Sequence, residues 1–277
     1  MILVIDSGNS RIKLGLLPEI AHPNAPALVT VALERGDAPG VAAWLAQQGA
    51  PITQAWGVNV AGQAQQEMLD RILAENGCTI RWQRAQVRTG WLRNGYQSSG
   101  QLGPDRWASM VGVASRSEQP GQPFVLACFG TATTIDIVDG EGLFQGGMIL
   151  PGPALMRRSL ATGTADLPMA QSASVLFPTD THAAIMTGIA AAQAGAFARQ
   201  CRLATQQFGQ VPALYAAGGG WFDVENEARR LLADLVPAAR HNPSSPDRHG
   251  VVEFLHHPVL DGLIYMARMA HTEERHL

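Results

Sequence analysis

The feature that most constrains the fold of this chain is a hairpin pattern that occurs twice. The first copy reads MILVIDSGNSRIKLGLL from residue 1, and the second reads FVLACFGTATTIDIVDG from residue 124. Each is an apolar strand, a tight glycine-containing turn rich in hydroxyl residues, and a second strand in which apolar and polar residues alternate. Such turns expose backbone N–H groups that suit phosphate oxygens. Two copies indicate two related halves that hold one polyphosphate, with a nucleotide cleft between them.

Other phosphate-binding motifs fit the sequence less well. It contains no G-x-x-x-x-G-K-[ST], and neither turn leads into a helix as a dinucleotide fingerprint does. For either copy alone, an ordinary hairpin with a polar turn is the alternative. The duplication, and the carboxylate of Asp6 at the end of the first strand, favour phosphate binding.

Composition narrows the class of protein. The chain has 277 residues, of which 46% are hydrophobic and 16% charged, enough to build two modest domains. A net charge of −3 without a basic patch argues against nucleic acid and anionic membranes as partners. With no signal-like N-terminus and no paired cysteine motif, we expect a cytoplasmic protein. The three cysteines are far apart: Cys78, Cys128 and Cys201.

Periodicity predicts the same order of elements in both halves, a three-stranded meander followed by helices and further strands. This order is typical of an α/β fold with mixed sheets. Strands beyond the two hairpins are predicted at 28–33, 55–59, 80–82, 146–150 and 213–217. Helices are predicted at 41–48, 64–76, 107–115, 154–162, 182–208, 225–235 and 259–271, and 241–250 is predicted to be a loop. The segment SEQPGQP from residue 117 is the best domain boundary. It divides the chain into an N-terminal domain, 1–117, and a C-terminal domain, 118–277.

Two carboxylates are the main candidates for chemistry. Asp6 precedes the first turn and could hold Mg²⁺ against phosphates, with Lys13 as a point charge; a turn-capping Asp and a solvated Lys are the alternatives. Asp105 lies in Gly103-Pro104-Asp105-Arg106, where it could accept a hydroxyl proton while Arg106 holds an anion. Its alternative role is the N-cap of the following helix.

The second half offers further candidates near its hairpin. Thr131 and Thr133 in the second turn could contact phosphate, or could belong to a simple polar hairpin. Asp136, on the strand that follows, could equally be a structural partner of the turn. The glycines at 218–220 could let an adenine ring lie against the backbone, or could form a plain turn.

Four segments in this order resemble one family. They are D-x-G-N-[ST]-x-x-K at 6–13, GPDR at 103–106, GTATT-x-D at 130–136, and GGMILPGPALMRRSLATGTADLP at 146–168. Over essentially the whole chain, the sequence is similar to type III pantothenate kinases of the actin-like ATPase superfamily. The resemblance implies two related actin-like (ribonuclease H-like) domains, each a mixed sheet flanked by helices.

The resemblance also implies an activity and the residues for it. The activity is transfer of the γ-phosphate of ATP to the primary hydroxyl of pantothenate, the first step to coenzyme A, with Mg²⁺, by a homodimer. Asp105 corresponds to the proton acceptor. The positions that match the family's contacts with ATP and its phosphates are Asp6, Ser7, Gly8, Asn9, Ser10, Arg11, Ile12, Lys13 and Thr131. Those that match its contacts with pantothenate are Tyr96, Gly103, Pro104, Asp105, Arg106 and Thr181.

One position departs from the family pattern. The family usually has Asp where this chain has Cys128, and that Asp helps bind a monovalent cation such as K⁺ or NH₄⁺. A neutral thiol is a poor K⁺ ligand, so we expect a weaker dependence on the cation. Two other functions remain open from sequence: a different hydroxyl or carboxylate kinase on the same fold, and an ATP-binding regulatory accessory protein with little turnover.

Overall fold

The computed structural model describes residues 1–18, 28–49, 51–117, 119–235 and 252–274. Its strands are β1 Ile2–Ser7, β2 Arg11–Leu17, β3 Val29–Glu34, β4 Gln54–Asn59, β5 Ile80–Trp82, β6 Arg88–Thr89, β7 Leu92–Asn94, β8 Phe124–Phe129, β9 Ala132–Val138, β10 Leu143–Pro151, β11 Ala213–Ala217 and β12 Glu253–Leu255. Its α-helices are α1 Ala38–Ala46, α2 Gln63–Glu75, α3 Pro104–Ala114, α4 Pro153–Gly163, α5 Thr181–Phe208, α6 Glu225–Leu232 and α7 Pro258–Glu274.

The chain forms two compact units. One comprises Met1–Glu118 and His257–Leu277, and the other comprises Gln119–His256. The chain therefore enters the second unit close to the predicted boundary and returns to the first unit for α7. The sequence assigned 118–277 to the C-terminal domain, and the two divisions differ in the place of this helix.

The same strand order occurs in both units. The first sheet has the order β3-β2-β1-β4-β5, and the strands of the second unit run β10-β9-β8-β11-β12. In each, the hairpin strands pair antiparallel and the central strand pairs parallel with the next crossover strand. The predicted duplication and mixed-sheet α/β class are confirmed.

The core of each unit lies between its sheet and its helices. In the first unit the apolar faces of β1 and β2 pack with α1 and α2 around Leu3, Ile5, Ile12, Leu14 and Leu69. In the second, β8 packs with α5 and α6 around Phe129, Phe197, Ala198, Trp221 and Leu232. The small residues of 183–198 thus let the inner face of α5 approach the sheet closely.

Helices α3 and α7 cross at two glycines. A Cβ on Gly262 would lie 1.9 Å from the carbonyl oxygen of Ala108, and one on Gly112 would lie 2.1 Å from that of Pro258. Only glycine permits this backbone contact. Residues 106–114 of α3 are all buried, so the helix that carries Asp105 lies at the centre of the first unit.

Most predicted elements lie within a few residues of those observed. The helix predicted at 107–115 begins at Pro104, and the one predicted at 225–235 ends at Leu232. The short strands β6, β7 and β12 were not predicted. The loop predicted at 241–250 lies outside the described residues. Within the described ranges, no helix combines the length and apolar character needed to cross a bilayer.

Candidate active site

Asp6 and Lys13 face each other across the first hairpin. They are directly opposite in the β1–β2 register, and Lys13 Nζ lies 3.6 Å from Asp6 Oδ2. Asp6 is only 8% exposed. Burial raises the pKa of its carboxyl to about 6, Lys13 opposes this shift, and the charge of nearby Asp105 adds to it. The Asp6 carboxylate is therefore largely removed from water and lies between a cationic and an anionic group.

The first turn is held from both ends. The N–H of Gly8 donates to the carbonyl of Arg11 at 3.0 Å, and the Ser7 hydroxyl donates to Asn59 Oδ1 at 2.8 Å. Asn59 also accepts from the N–H of Ala61, so the end of β4 fixes the turn. Sequence reasoning missed Asn59, because only the parallel pairing of β1 with β4 brings it there.

Other residues of the predicted phosphate motif differ in exposure. Asn9 and Ser10 are exposed at the turn. The side chain of Ile12 is buried in the core, so only its backbone could face a ligand. Arg11 pairs with Glu34 at 3.8 Å on the surface.

Asp105 lies in the first turn of α3, but it is not the N-cap. That place is taken by Gly103, without a side-chain capping bond, which corrects the alternative drawn from sequence. Asp105 Oδ1 instead accepts from the N–H of Arg106 at 2.8 Å. Burial raises the pKa of Asp105, while the hydrogen bonds it accepts and the charge of Arg106 oppose the shift. A Cβ on Gly103 would lie 2.7 Å from Asp105 Oδ1, so glycine leaves the space for this carboxylate.

Arg106 and Tyr96 are in contact. Arg106 Nη1 donates to the Tyr96 hydroxyl at 3.0 Å, and the guanidinium carbon is 5.8 Å from the centre of the tyrosine ring. Arg106 is 6% exposed. Tyr96 is placed by Asn94, whose side chain accepts from the Tyr96 N–H at 3.0 Å. The unpredicted β6–β7 hairpin, which ends at Asn94, therefore positions a residue that the sequence singled out.

The second unit carries the other hairpin turn. The N–H of Gly130 donates to the carbonyl of Ala132, and the carbonyl of Thr131 accepts from the N–H of Gly152, at the start of α4. The buried hydroxyl of Thr133 has no hydrogen-bond partner among the residues that the structure describes. Asp136 is fully buried within β9. Thr131 thus lies in the turn, whereas Thr133 lies within β9 and is fully buried, so that its hydroxyl is not accessible in this arrangement.

Thr181 and Cys128 also belong to the second unit. Thr181 is the first residue of α5 and lines an apolar cavity of about 390 Å³ with residues of α4 and α5 such as Leu160 and Ile185. Cys128 is half-buried in β8 and forms no disulfide. Of the predicted site residues, the first unit therefore brings together Asp6, Lys13, Asp105, Arg106 and Tyr96, whereas Thr131, Thr181 and Cys128 lie in the second.

Within the described ranges, no three His, Cys, Asp or Glu side chains are grouped as a metal site. Asp6, a partly desolvated carboxylate beside a second carboxylate, is chemically suited to Mg²⁺.

Comparison with known proteins identifies the family. Residues 2–203 match the family model for type III pantothenate kinase. The type III pantothenate kinase of Bordetella pertussis is 47% identical over 271 residues, which are 96% of this chain and 97% of that protein. The chain belongs to the type III pantothenate kinase family. The enzyme of that name from Bordetella petrii is 48% identical over 267 residues, again 96% and 97% of the two chains. That from Azoarcus is 38% identical and covers 87% and 85%.

Solved structures support the fold of this family member. A Baf family protein from Campylobacter jejuni has a TM-score of 0.54 at 18% identity, with 98% of this chain and 99% of that one covered. Acetate kinase from Porphyromonas gingivalis has a TM-score of 0.50 at 12% identity, with 97% and 99% covered. At these identities the likeness concerns architecture alone, and it confirms the actin-like fold class.

Proposed function

We propose that this protein is a pantothenate kinase, which transfers the γ-phosphoryl group of ATP to the primary hydroxyl of pantothenate and so begins coenzyme A synthesis. The observation that carries the proposal is the near full-length match to proteins of that name. The arrangement of Asp6, Lys13, Asp105 and Arg106 in the first unit supports it, because phosphoryl transfer needs a weak base beside cationic groups.

Asp105 is the proton acceptor in this proposal. The pantothenate hydroxyl gives its proton to the Asp105 carboxylate as its oxygen forms a bond to the γ-phosphorus. The bond from that phosphorus to the bridging oxygen breaks, and the electron pair leaves with ADP. A carboxylate whose pKa burial raises is a better base for this step than a solvated one, because its pKa lies nearer the working pH.

Asp6 and the first turn bind the phosphates of ATP. Mg²⁺ supplies neutralisation of phosphate charge when bound, and Asp6 is the residue that would hold it. Lys13, now 3.6 Å from Asp6, offers an ammonium group to the same phosphates. The backbone N–H groups and hydroxyls of the first turn add phosphate contacts. Thr131 in the second turn is a further ATP contact proposed from the family pattern.

Arg106 and Tyr96 orient pantothenate. A buried guanidinium binds a carboxylate more strongly than an exposed one, and the phenol that it already contacts adds a polar group beside it. Thr181 is a further contact proposed from the family pattern. The protein is also proposed to be a cytoplasmic homodimer. A monovalent cation near Cys128 is expected to bind more weakly than in the family pattern, because a thiol stands there in place of a carboxylate.

A coupled assay of ADP release tests the function. Pantothenate should stimulate ADP formation from Mg·ATP, while other hydroxy acids and acetate should not. Stimulation by a different acid alone would assign another kinase activity. ATP binding without turnover on any acid would favour the regulatory accessory protein instead.

A further inference from the structure

Three parallel strands of the second unit end at one edge of its sheet. The register places Cys128 of β8 beside Ala217 of β11, and Ala217 beside Leu255 of β12. Since neighbouring strands lie about 4.8 Å apart, this edge is about 10 Å long. The hairpin turn follows β8, the triple glycine follows β11, and His256 follows β12. Ligands of parallel sheets bind at the carboxyl ends of the strands.

An aromatic cluster, defined as Phe222, Phe254 and His256, lies on the β12 side of this edge, since Phe254 belongs to β12 and His256 directly follows it. Phe222 is 67% exposed, although Trp221 next to it is fully buried. The rings of Phe222 and Phe254 are 5.2 Å apart, and those of Phe254 and His256 are 5.1 Å apart. Scattered exposed apolar residues are common. Phe222 differs from such residues, because its ring packs on the ring of Phe254 and lies in the segment that follows the triple glycine.

The glycines bring this segment close to the phosphate turn. A Cβ on Gly218, whose φ is +88°, would lie 2.4 Å from the carbonyl oxygen of Phe129, and one on Gly220 would lie 3.0 Å from it. Phe129 is the last residue of β8 and directly precedes the turn at Gly130. A Cβ on Gly219 meets nothing within 4 Å, so open space lies beside the same loop.

We propose that Phe222 stacks on the base of the nucleoside triphosphate donor and is a specificity-determining residue. The inference rests on the proposed kinase function and on phosphate binding at the turn of residues 130 and 131. Stacking uses the π-face that every base has and leaves the hydrogen-bonding edges unread. The donor site therefore favours purines, which have the larger face, over pyrimidines, and separates ATP from GTP only weakly. Phe254 and His256 position Phe222.

Calorimetry of Mg·ATP binding, without pantothenate, tests the assignment. Phe222→Ala should weaken ATP binding by about 5- to 50-fold, as is typical of a lost base–aromatic stack. Phe222→Trp should retain it. Phe222→Leu keeps apolar volume against Phe254 but has no π-face, so it should behave like Phe222→Ala. Leu203→Ala, at a 42% exposed position on α5, is the matched control and should bind ATP normally.

Inorganic tripolyphosphate, which has no base, is the second probe. Its affinity should be equal in the parent and in Phe222→Ala, and the preference for ATP over CTP should shrink in the variant. Parent-like ATP binding by Phe222→Ala would overturn the inference, as would an equal loss of tripolyphosphate binding. The binding experiments contain no pantothenate, so they do not depend on turnover. If the protein binds ATP through Phe222 but does not phosphorylate pantothenate, the proposed function is overturned and this inference stands.

Discussion

At the start of α3, Gly103 is the N-cap and Asp105 is the proposed base, so helix capping and proton transfer fall to different residues. Because Gly103 is the N-cap, Asp105→Asn should leave the helix intact. Turnover should fall by about 10²- to 10⁴-fold, the usual cost of losing a general base. Steady-state rates with thermal unfolding as the control would measure this, and near-normal turnover would refute the role of base.

The ionised carboxylate of Asp6 should lower the free energy of unfolding at neutral pH. Its pKa is about 6 in the folded protein and near 3.8 when unfolded, so the folded state binds the proton more tightly. This contribution therefore favours folding below about pH 4 and is lost as pH rises through 6, by about 3 kcal/mol.

The variant Asp6→Asn removes this dependence. Its free energy of unfolding relative to the parent should rise by about 2 kcal/mol between pH 4 and pH 7, while its affinity for Mg·ATP falls and pantothenate binding is retained. Urea titrations across pH and calorimetry with each ligand give the two readouts. A flat difference across pH would show that Asp6 titrates normally.

The thiol of Cys128 should affect how strongly the reaction rate depends on a monovalent cation. It is half-buried in β8, at the position where the resemblance to the family implies a carboxylate. Rates should therefore depend on K⁺ less steeply than a carboxylate site would require, and Cys128→Asp should increase that dependence. Initial rates against K⁺ at constant ionic strength, with a bulky organic cation as replacement, measure both. A steep K⁺ requirement in the unmodified protein would contradict this expectation.

At the scale of elements, the crossing of α3 and α7 is the contact most sensitive to one added methyl group. Gly262→Ala would place a Cβ 1.9 Å from a backbone oxygen, so the helices must separate, and we expect a loss of about 2–3 kcal/mol. Gly195→Ala, inside α5 with nothing within 4 Å of the added atom, should be neutral or stabilise by about 0.5–1 kcal/mol. Urea unfolding of both variants compares them, and equal effects would mean that the crossing tolerates side chains.

The sequence allowed most elements to be predicted, because hairpin alternation and helical periodicity are local signals. The strands β6, β7 and β12 have two or three residues each, too few to show a period. The role of Asn59 and the contact of Arg106 with Tyr96 depend on pairings between distant segments. The motif singled out Asp105 as a candidate, but whether it capped the helix depended on the backbone geometry of Gly103.

At the scale of the whole molecule, the assembly remains a prediction. The inner face of α5 is buried within its own unit, but the nearby segment 175–177 is exposed, with Phe177 at 82%. A contiguous apolar segment of this kind favours contact with a second subunit. Light scattering should report a dimer at micromolar concentration, and Phe177→Glu should weaken it. Val87→Glu, at a 72% exposed position in the first unit, should not. A monomeric parent would contradict the proposal.

The return of the chain to its first unit has a consequence for biosynthesis. All of the second unit is made before α7, the partner of α3, leaves the ribosome. Until then α3 lacks the helix that packs against Gly112, and the apolar surface around it stays open. We therefore expect the second unit to fold during translation, and the unit that carries Asp6 and Asp105 to complete its fold only once α7 has been made. A stalled or shortened chain would display this surface to chaperones and proteases although half of the protein is already folded.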